Sequence, residues 1–253
     1  MQIEPIPAFE DNYIWALRRD GDVVVVDPGE AAPVERYLEK VGARLTAILI
    51  THRHGDHVGG VAELIAKASV SVHGPAREAA EVVTHPHREG DRIALPEIGI
   101  ELTVMDVPGH TLGHIAFYSD GLLFCGDTLF GAGCGRVFEG TLPQMHASLA
   151  RLAALPASTR VYCAHEYTQS CLRFAKTVEP DNPDIDARIR RVAEQRRLQQ
   201  PSVPSTLDEE LATNPFLRWE APGVITAATA RLGHRPANDA ETFAAIRIWR
   251  DQL

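Results

Sequence analysis

The chain has 253 residues, 45% of them hydrophobic, and a formal net charge of −9 at pH 7, which is enough apolar content for a substantial core in one large or two smaller units. An acidic balance with no obvious basic stripe argues against a nucleic-acid surface. No apolar run approaches the roughly twenty residues of a membrane span.

The opening Met1-Gln2-Ile3-Glu4-Pro5 lacks a basic segment followed by an apolar stretch, so no signal peptide is expected. Cysteines at 125, 134, 163 and 171 form no Cys-x-x-Cys pair, which points to reduced thiols in a cytoplasmic protein rather than a disulfide framework. Up to about residue 165, short β-branched runs alternate with helical patterns. Ala47-Ile48-Leu49-Ile50 reads as a buried strand, and a helix is expected over residues 58–67. Further strand-like runs cover residues 102–107, 122–126 and 161–164. A helix over 143–155 repeats Met145, Leu149 and Leu152 at helical spacing. Strand signals then stop. Residues 184–200, 207–213 and 240–252 read as helices, separated by Pro201, Pro204, Pro215 and Pro222. The basic run Arg188-Ile189-Arg190-Arg191 with Arg196-Arg197, interleaved with Glu194, is read as a solvated helix face.

The densest chemistry is Thr51-His52-Arg53-His54-Gly55-Asp56-His57, directly after the first of these strands. Residues two apart in extended chain share a side, so His52 and His54 can share one ion. After the turn that Gly55 permits, Asp56 and His57 can face a second. Clustered neutral imidazoles with a carboxylate point to a metal site at a strand tip. His110, Asp127 and His165 each follow one of the other apolar runs, and a sheet fixes ligand geometry at its strand ends better than free loops do. No Gly-x-Ser-x-Gly elbow or catalytic cysteine signature competes. The stretch Gly131-Ala132-Gly133-Cys134-Gly135 has the wrong spacing for a dinucleotide loop. His85 and His87 are expected in a solvated loop, and His73, His146 and His234 show no constellation. His114 reads equally as a partner orienting a ligand or as a satisfied core residue.

The order His-x-His-x-Asp-His followed by separate His, Asp and His resembles the metallo-β-lactamase superfamily. Within it, the stretch from Gly126-Asp127-Thr128-Leu129-Phe130 through Gly133-Cys134-Gly135-Arg136 to Phe138-Glu139-Gly140 is similar to hydroxyacylglutathione hydrolases, or glyoxalase II. Further matches are Asp11-Asn12-Tyr13-Ile14-Trp15, Pro108-Gly109-His110-Thr111-Leu112-Gly113-His114, His165-Glu166-Tyr167-Thr168, Val203-Pro204-Ser205-Thr206 and Asn214-Pro215-Phe216-Leu217-Arg218.

The resemblance implies an α/β fold, a metallo-β-lactamase-like αββα sandwich over residues 1–165, with a small helical substrate-binding domain over 166–253. It implies His52, His54 and His110 on one metal, Asp56, His57 and His165 on the other, and Asp127 bridging. Asp56 and Asp127 would also be the catalytic carboxylates around a metal-bridged hydroxide, whose parent water two divalent ions bring towards a pKa of about 7. Zinc is the expected metal, with iron or manganese also suited to the donors. The implied reaction splits S-(2-hydroxyacyl)glutathione thioesters, S-D-lactoylglutathione above all, to D-lactate and glutathione, the second step of methylglyoxal detoxification. Glutathione carries two carboxylates, and the family's contacts fall here on Arg136, Phe138, Tyr167, Arg247 and Arg250. Many members have Tyr where this chain has Phe138, so one hydroxyl donor is missing. Read without the resemblance, Arg247 and Arg250 would be an ordinary solvated helix face. A small-molecule thioester is the expected partner, with no nucleic acid, membrane or obligate protein partner. The alternatives are a persulfide dioxygenase-like enzyme with a single iron, or a non-catalytic metal-binding protein.

Overall fold

The computed structural model describes residues 1–78 and 81–253. The chain opens with β1 (Gln2–Ala8), β2 (Asn12–Arg19) and β3 (Asp22–Val26), then α1 (Ala31–Val41), β4 (Arg44–Leu49), α2 (Gly55–Val58), α3 (Val61–Lys67), β5 (Ser71–Pro75) and β6 (His85–His87). These strands form one six-stranded sheet in the order β1-β2-β3-β4-β5-β6, antiparallel up to β3 and parallel from β3 onward. Consecutive valines of β3 alternate faces, as the two-residue strand period requires. Val24 and Val26 join the large core. Val23 and Val25 pack with Val34 of α1 and with Val61 and Leu64 of α3.

A second sheet follows from β7 (Arg92–Leu95), β8 (Ile100–Asp106), β9 (Ile115–Ser119) and β10 (Leu122–Gly126). After the small hairpin β11 (Leu129–Phe130) and β12 (Gly133–Cys134) come α4 (Leu142–Ala153), β13 (Arg160–Cys163), α5 (Thr168–Val178), α6 (Pro183–Arg197), β14 (Ser205–Thr206), α7 (Leu207–Thr213), α8 (Pro222–Leu232) and α9 (Asp239–Asp251). The sheet order is β14-β13-β10-β9-β8-β7. Trp15, Leu17 and Leu49 of the first sheet and Leu102, Val104, Phe117 and Leu123 of the second belong to one buried cluster. That cluster also takes in Met145, Leu149 and Leu152 of α4 and Phe174, Phe216, Phe243 and Ile246 of the C-terminal part. Consecutive residues Leu123, Phe124 and Cys125 are all buried, the mark of a strand covered on both faces.

Several elements differ from expectation for identifiable reasons. The helix expected over 58–67 is broken at Gly59 and Gly60. A Cβ on Gly59 would lie 2.7 Å from the Gly29 carbonyl oxygen, and one on Gly60 would lie 2.5 Å from the Ala31 nitrogen. The backbone of residues 28–31 therefore passes where a regular helix would carry side chains. The helix expected over 143–155 begins at Leu142 behind the capping box of Thr141 and Gln144 and stops at Ala153. Strand signal does not end at residue 165, because Ser205 pairs with Val161 and Thr206 with Arg160. His85 and His87 lie in strand β6, where Pro86 is tolerated because β6 is the sheet edge. Arg188 is not on a solvated face: it is 1% exposed and ion-paired with the fully buried Glu210. Among the described residues, no helix is long and apolar enough to cross a membrane.

Strands β8, β10 and β13 run in one direction, since β10 and β13 are parallel while β8 and β10 each pair antiparallel with β9. Their C-terminal ends lead to His110, Asp127 and His165. The start of β2 reaches the same end: Tyr13 N donates to Ala164 O at 2.7 Å, and Trp15 Nε1 donates to Cys163 O at 2.9 Å. Those bonds bring the β1–β2 turn against the root of His165.

Candidate metal centre

The chain leaves β4 buried through Ile50 and Thr51, then delivers His52, fully buried, and His54, whose extended backbone precedes α2. One turn of α2 places Asp56 and His57. The structure brings these residues together with the three later strand ends. Nε2 of His52 lies 3.1 Å from Nδ1 of His54, which lies 3.0 Å from Nε2 of His110. Nε2 of His57 is 3.3 Å from Asp56 Oδ2, and Nε2 of His165 is 3.5 Å from the same oxygen. The two trios, His52-His54-His110 and Asp56-His57-His165, each have the spacing to hold a metal ion. Asp127 stands between them: Oδ2 is 3.4 Å from His110 Nε2, while Oδ1 is 3.5 Å from His57 Nε2 and 3.3 Å from His165 Nε2.

Around these groups, outer partners fix which ring nitrogen faces inward. His110 Nδ1 donates to the Arg136 carbonyl at 2.7 Å, and His165 Nδ1 sits 2.8 Å from Asp11 Oδ1. Asp27 takes His57 Nδ1 at 3.0 Å and accepts from Thr51 N and Oγ1 at 2.8 and 2.7 Å. Asn12 Nδ2 donates to Asp56 Oδ2 at 3.0 Å. His114 orients a donor rather than only filling space: its Nε2 accepts from the Asp127 backbone N at 3.2 Å, and its ring stacks on His52 at 4.6 Å. Asp27 could also group with His52 and His57, but its oxygens already hold Thr51 and the outer nitrogen of His57.

Electrostatics follow from the same packing. Burial opposes ionisation of Asp127, yet His57 and His165 hold its carboxyl well below the usual range. Burial pulls the His57 ring down, and Asp127 and Asp27 outweigh it, so its pKa stands well above the ordinary imidazole value. For His52 burial dominates, reinforced by the neighbouring His57 and His114 rings, and the pKa falls well below that value. Asp127 Oδ1 and His57 Nε2 are buried with no hydrogen-bond partner among the described residues. Groups of that kind are costly to leave unpaired, and five imidazoles with two carboxylates form a donor set suited to divalent metal. The residues fit a bound metal.

Beside this centre a cavity of about 330 Å³ is lined by Phe130, Cys134, Arg136, Tyr167, Arg247 and Arg250, among others. It gathers four of the five residues expected to meet substrate. Tyr167 stacks on His165 with ring centroids 4.6 Å apart. Arg247 is buried: its Nε donates to the Gly135 carbonyl at 3.2 Å, its Nη2 to Asp251 at 2.8 Å, and its Nη1 has no partner among the described residues. Arg250 lies over the Phe174 ring at 5.6 Å. The fifth, Phe138, is exposed, with its ring 5.9 Å from His54 and 5.2 Å from His110. Sequence reasoning passed over Asp27, although it ends the apolar run Val23–Val26 just as each donor ends its own. Asp11 and Asn12 belong to a stretch that matches the family, and the sequence alone assigns them no role.

The family model for the metallo-beta-lactamase superfamily matches residues 9–165, and that for the hydroxyacylglutathione hydrolase C-terminus matches residues 166–253. A hydroxyacylglutathione hydrolase from Methylobacillus flagellatus is 52% identical over 252 residues, covering 100% of this chain and 99% of its own. One from Alkalilimnicola ehrlichii is 54% identical over 253 residues, covering 99% of each. Among solved structures, the BLEG-1 B3 metallo-beta-lactamase aligns with a TM-score of 0.65 at 21% identity, covering 86% of this chain and 100% of its own, and shows the shared fold. With both family models matched and relatives of this similarity spanning its length, the chain belongs to the hydroxyacylglutathione hydrolases of the metallo-β-lactamase superfamily.

Proposed function

We propose that the protein hydrolyses S-(2-hydroxyacyl)glutathione thioesters, with S-D-lactoylglutathione cleaved to D-lactate and glutathione in the second step of methylglyoxal detoxification. The observation that carries this reading is the position of Asp127, with one oxygen towards each donor trio beside an arginine-lined cavity. His52, His54 and His110 would hold one divalent ion, Asp56, His57 and His165 a second, and Asp127 both, with zinc the metal expected from the donors. When bound, the ions supply a water acidified towards neutral pH and Lewis-acid polarisation of the thioester carbonyl.

The chain's own residues do the rest. Asp27, Asp11 and the Arg136 carbonyl hold the outer nitrogens of His57, His165 and His110, leaving each Nε2 directed at the centre. Arg136 and Arg250, with the buried Arg247 in the same lining, give the cavity a cationic wall that suits the two glutathione carboxylates. Tyr167 adds a hydroxyl beside His165, and Phe138 offers an apolar edge near His54. The departing thiolate is a good leaving group, so no protonating side chain is required. The helical residues 166–253 act as the substrate-binding part, since they supply Tyr167, Arg247 and Arg250. Four buried free cysteines support a cytoplasmic setting.

A thioester-cleavage assay run beside oxygen-uptake measurement with glutathione persulfide tests the reading. Thioester cleavage without oxygen uptake is expected. Oxygen uptake with no cleavage would move the protein to the single-iron dioxygenase chemistry.

A further inference from the structure

The turn that carries Asp11 and Asn12 is fastened by a residue outside the donor set. Asp11 Oδ1 holds His165 and Asn12 Nδ2 holds Asp56, so two of the three donors in the Asp56-His57-His165 trio depend on where this turn lies. Backbone bonds set the turn against the end of β13: Tyr13 N donates to Ala164 O at 2.7 Å, and Glu166 N donates to Asp11 O at 2.8 Å. Successive residues of extended chain point to opposite sides. His165 turns to the centre, and every side-chain partner of Glu166 lies elsewhere.

The Glu166 side chain is 8% exposed and gathers three separate parts of the chain. Its Oε2 accepts from Tyr13 Oη at 3.0 Å and from Ser202 N at 2.8 Å, and stands 3.4 Å from Arg196 Nη1 of α6. Its Oε1 accepts from Ser202 Oγ, which also lies 2.7 Å from Thr168 Oγ1 at the start of α5. Arg196 reaches Tyr13 Oη at 3.4 Å and the Gln200 carbonyl at 2.7 Å as well. A carboxylate so enclosed is costly to unpair, so it fixes the turn to residues 196–202 of the C-terminal part. Asp11, Tyr13, Glu166 and Arg196 line a cavity of about 360 Å³ whose lining shares no residue with the arginine-lined one. The network therefore reaches the donors without reaching the substrate cavity.

We propose that Glu166 is a positioning residue for the Asp56-His57-His165 trio, acting through Asp11 and Asn12, and that residues 196–202 thereby set how tightly that trio holds its ion. The inference rests on the paired centre proposed above and extends it: the chain after residue 165 shapes one metal position as well as the substrate cavity. The His52-His54-His110 trio stands outside this chain of contacts, since the outer nitrogens of His52 and His110 meet Thr51 Oγ1 and the Arg136 carbonyl.

The test is competition of zinc-loaded protein with a chelator, counting ions released per chain. Wild type is expected to release two ions. Glu166→Ala is expected to weaken one of them about tenfold or more, within the roughly 10- to 100-fold that loss of an outer partner causes, with the other ion unchanged. Glu166→Gln, which keeps one acceptor oxygen, falls between it and wild type. Ser202→Ala and Tyr13→Phe each remove one bond to Glu166 without altering the residue beside His165. They weaken the same ion by a smaller factor and decide the matter if the Glu166 variants do not fold. KM measured at saturating metal stays at the wild-type value throughout. In a His165→Gln background, where the trio has lost a donor, adding Glu166→Gln makes no further difference to ion affinity. Two ions on wild type with unchanged affinity in these variants, or an equal loss at both ions, would overturn this inference and leave the paired centre standing. A single ion on wild type would overturn both.

Discussion

Asp27 shows how much of the candidate centre depends on a residue outside the seven proposed donors. Its carboxylate takes the outer nitrogen of His57 and both donors of Thr51, at a backbone position with φ of 53°. Asn tolerates that left-handed conformation and keeps one acceptor, so Asp27→Asn removes the charge while preserving the turn. The expected result is about 10- to 100-fold weaker metal affinity at the Asp56-His57-His165 trio, read by competition with a chelator. Arg250→Ala addresses the cavity. Losing a charge-assisted hydrogen bond to a substrate carboxylate, worth about 1.5–3 kcal/mol, is expected to raise KM about tenfold or more with the metals retained, and an unchanged KM would remove Arg250 from the substrate site. At this scale the sequence pointed to His110, Asp127 and His165 only together, because several strand ends carry the same chemistry, whereas Asp27, which ends its own apolar run, lies far from any such cluster in sequence. The contact of His73 with His87 was not readable, because it exists only through the parallel pairing of β5 with β6.

At the level of elements, the C-terminal helices and the β11–β12 hairpin are tied by one buried network. Glu210 of α7 accepts from Arg188 Nη2 of α6 at 2.5 Å and from the Ala132 backbone N at 2.8 Å. Asn214 Nδ2 donates to Glu210 at 3.1 Å and to the Gly133 carbonyl at 2.9 Å. Glu210 is fully buried, so Glu210→Ala leaves the Arg188 guanidinium without its buried partner. A loss of about 3–5 kcal/mol of stability is expected, measured by denaturant unfolding; a loss below 1 kcal/mol, the range of an exposed pair, would contradict the role given to this network. The charge run containing Arg188 looked solvated because a linear pattern does not show that α7 packs acidic residues against α6. Helices with clear amphipathic spacing, such as α4, were legible to within two residues. α1, α5 and α8 were not singled out: Pro33 and Pro222 sit in first turns, where proline is tolerated but reads as a breaker. β6 and β14 have three and two residues, too few to show any periodicity.

Across the whole molecule, two sheets meet face to face and direct strand ends from both at one site, while the chain after residue 165 closes the cavity and lends a strand to the second sheet. The sandwich class followed from alternating strands and helices together with the family likeness, and the sharing of one core by both parts did not, since contact between distant segments leaves no local pattern. The central claim is that Asp127 joins two metal ions into one hydrolytic centre. Counting metal per chain in wild type and Asp127→Ala, alongside thioester cleavage, tests it most directly. The account predicts two ions and full activity for wild type, with loss of paired binding and near-complete loss of cleavage for the variant. Two ions retained with near wild-type cleavage in Asp127→Ala would contradict it.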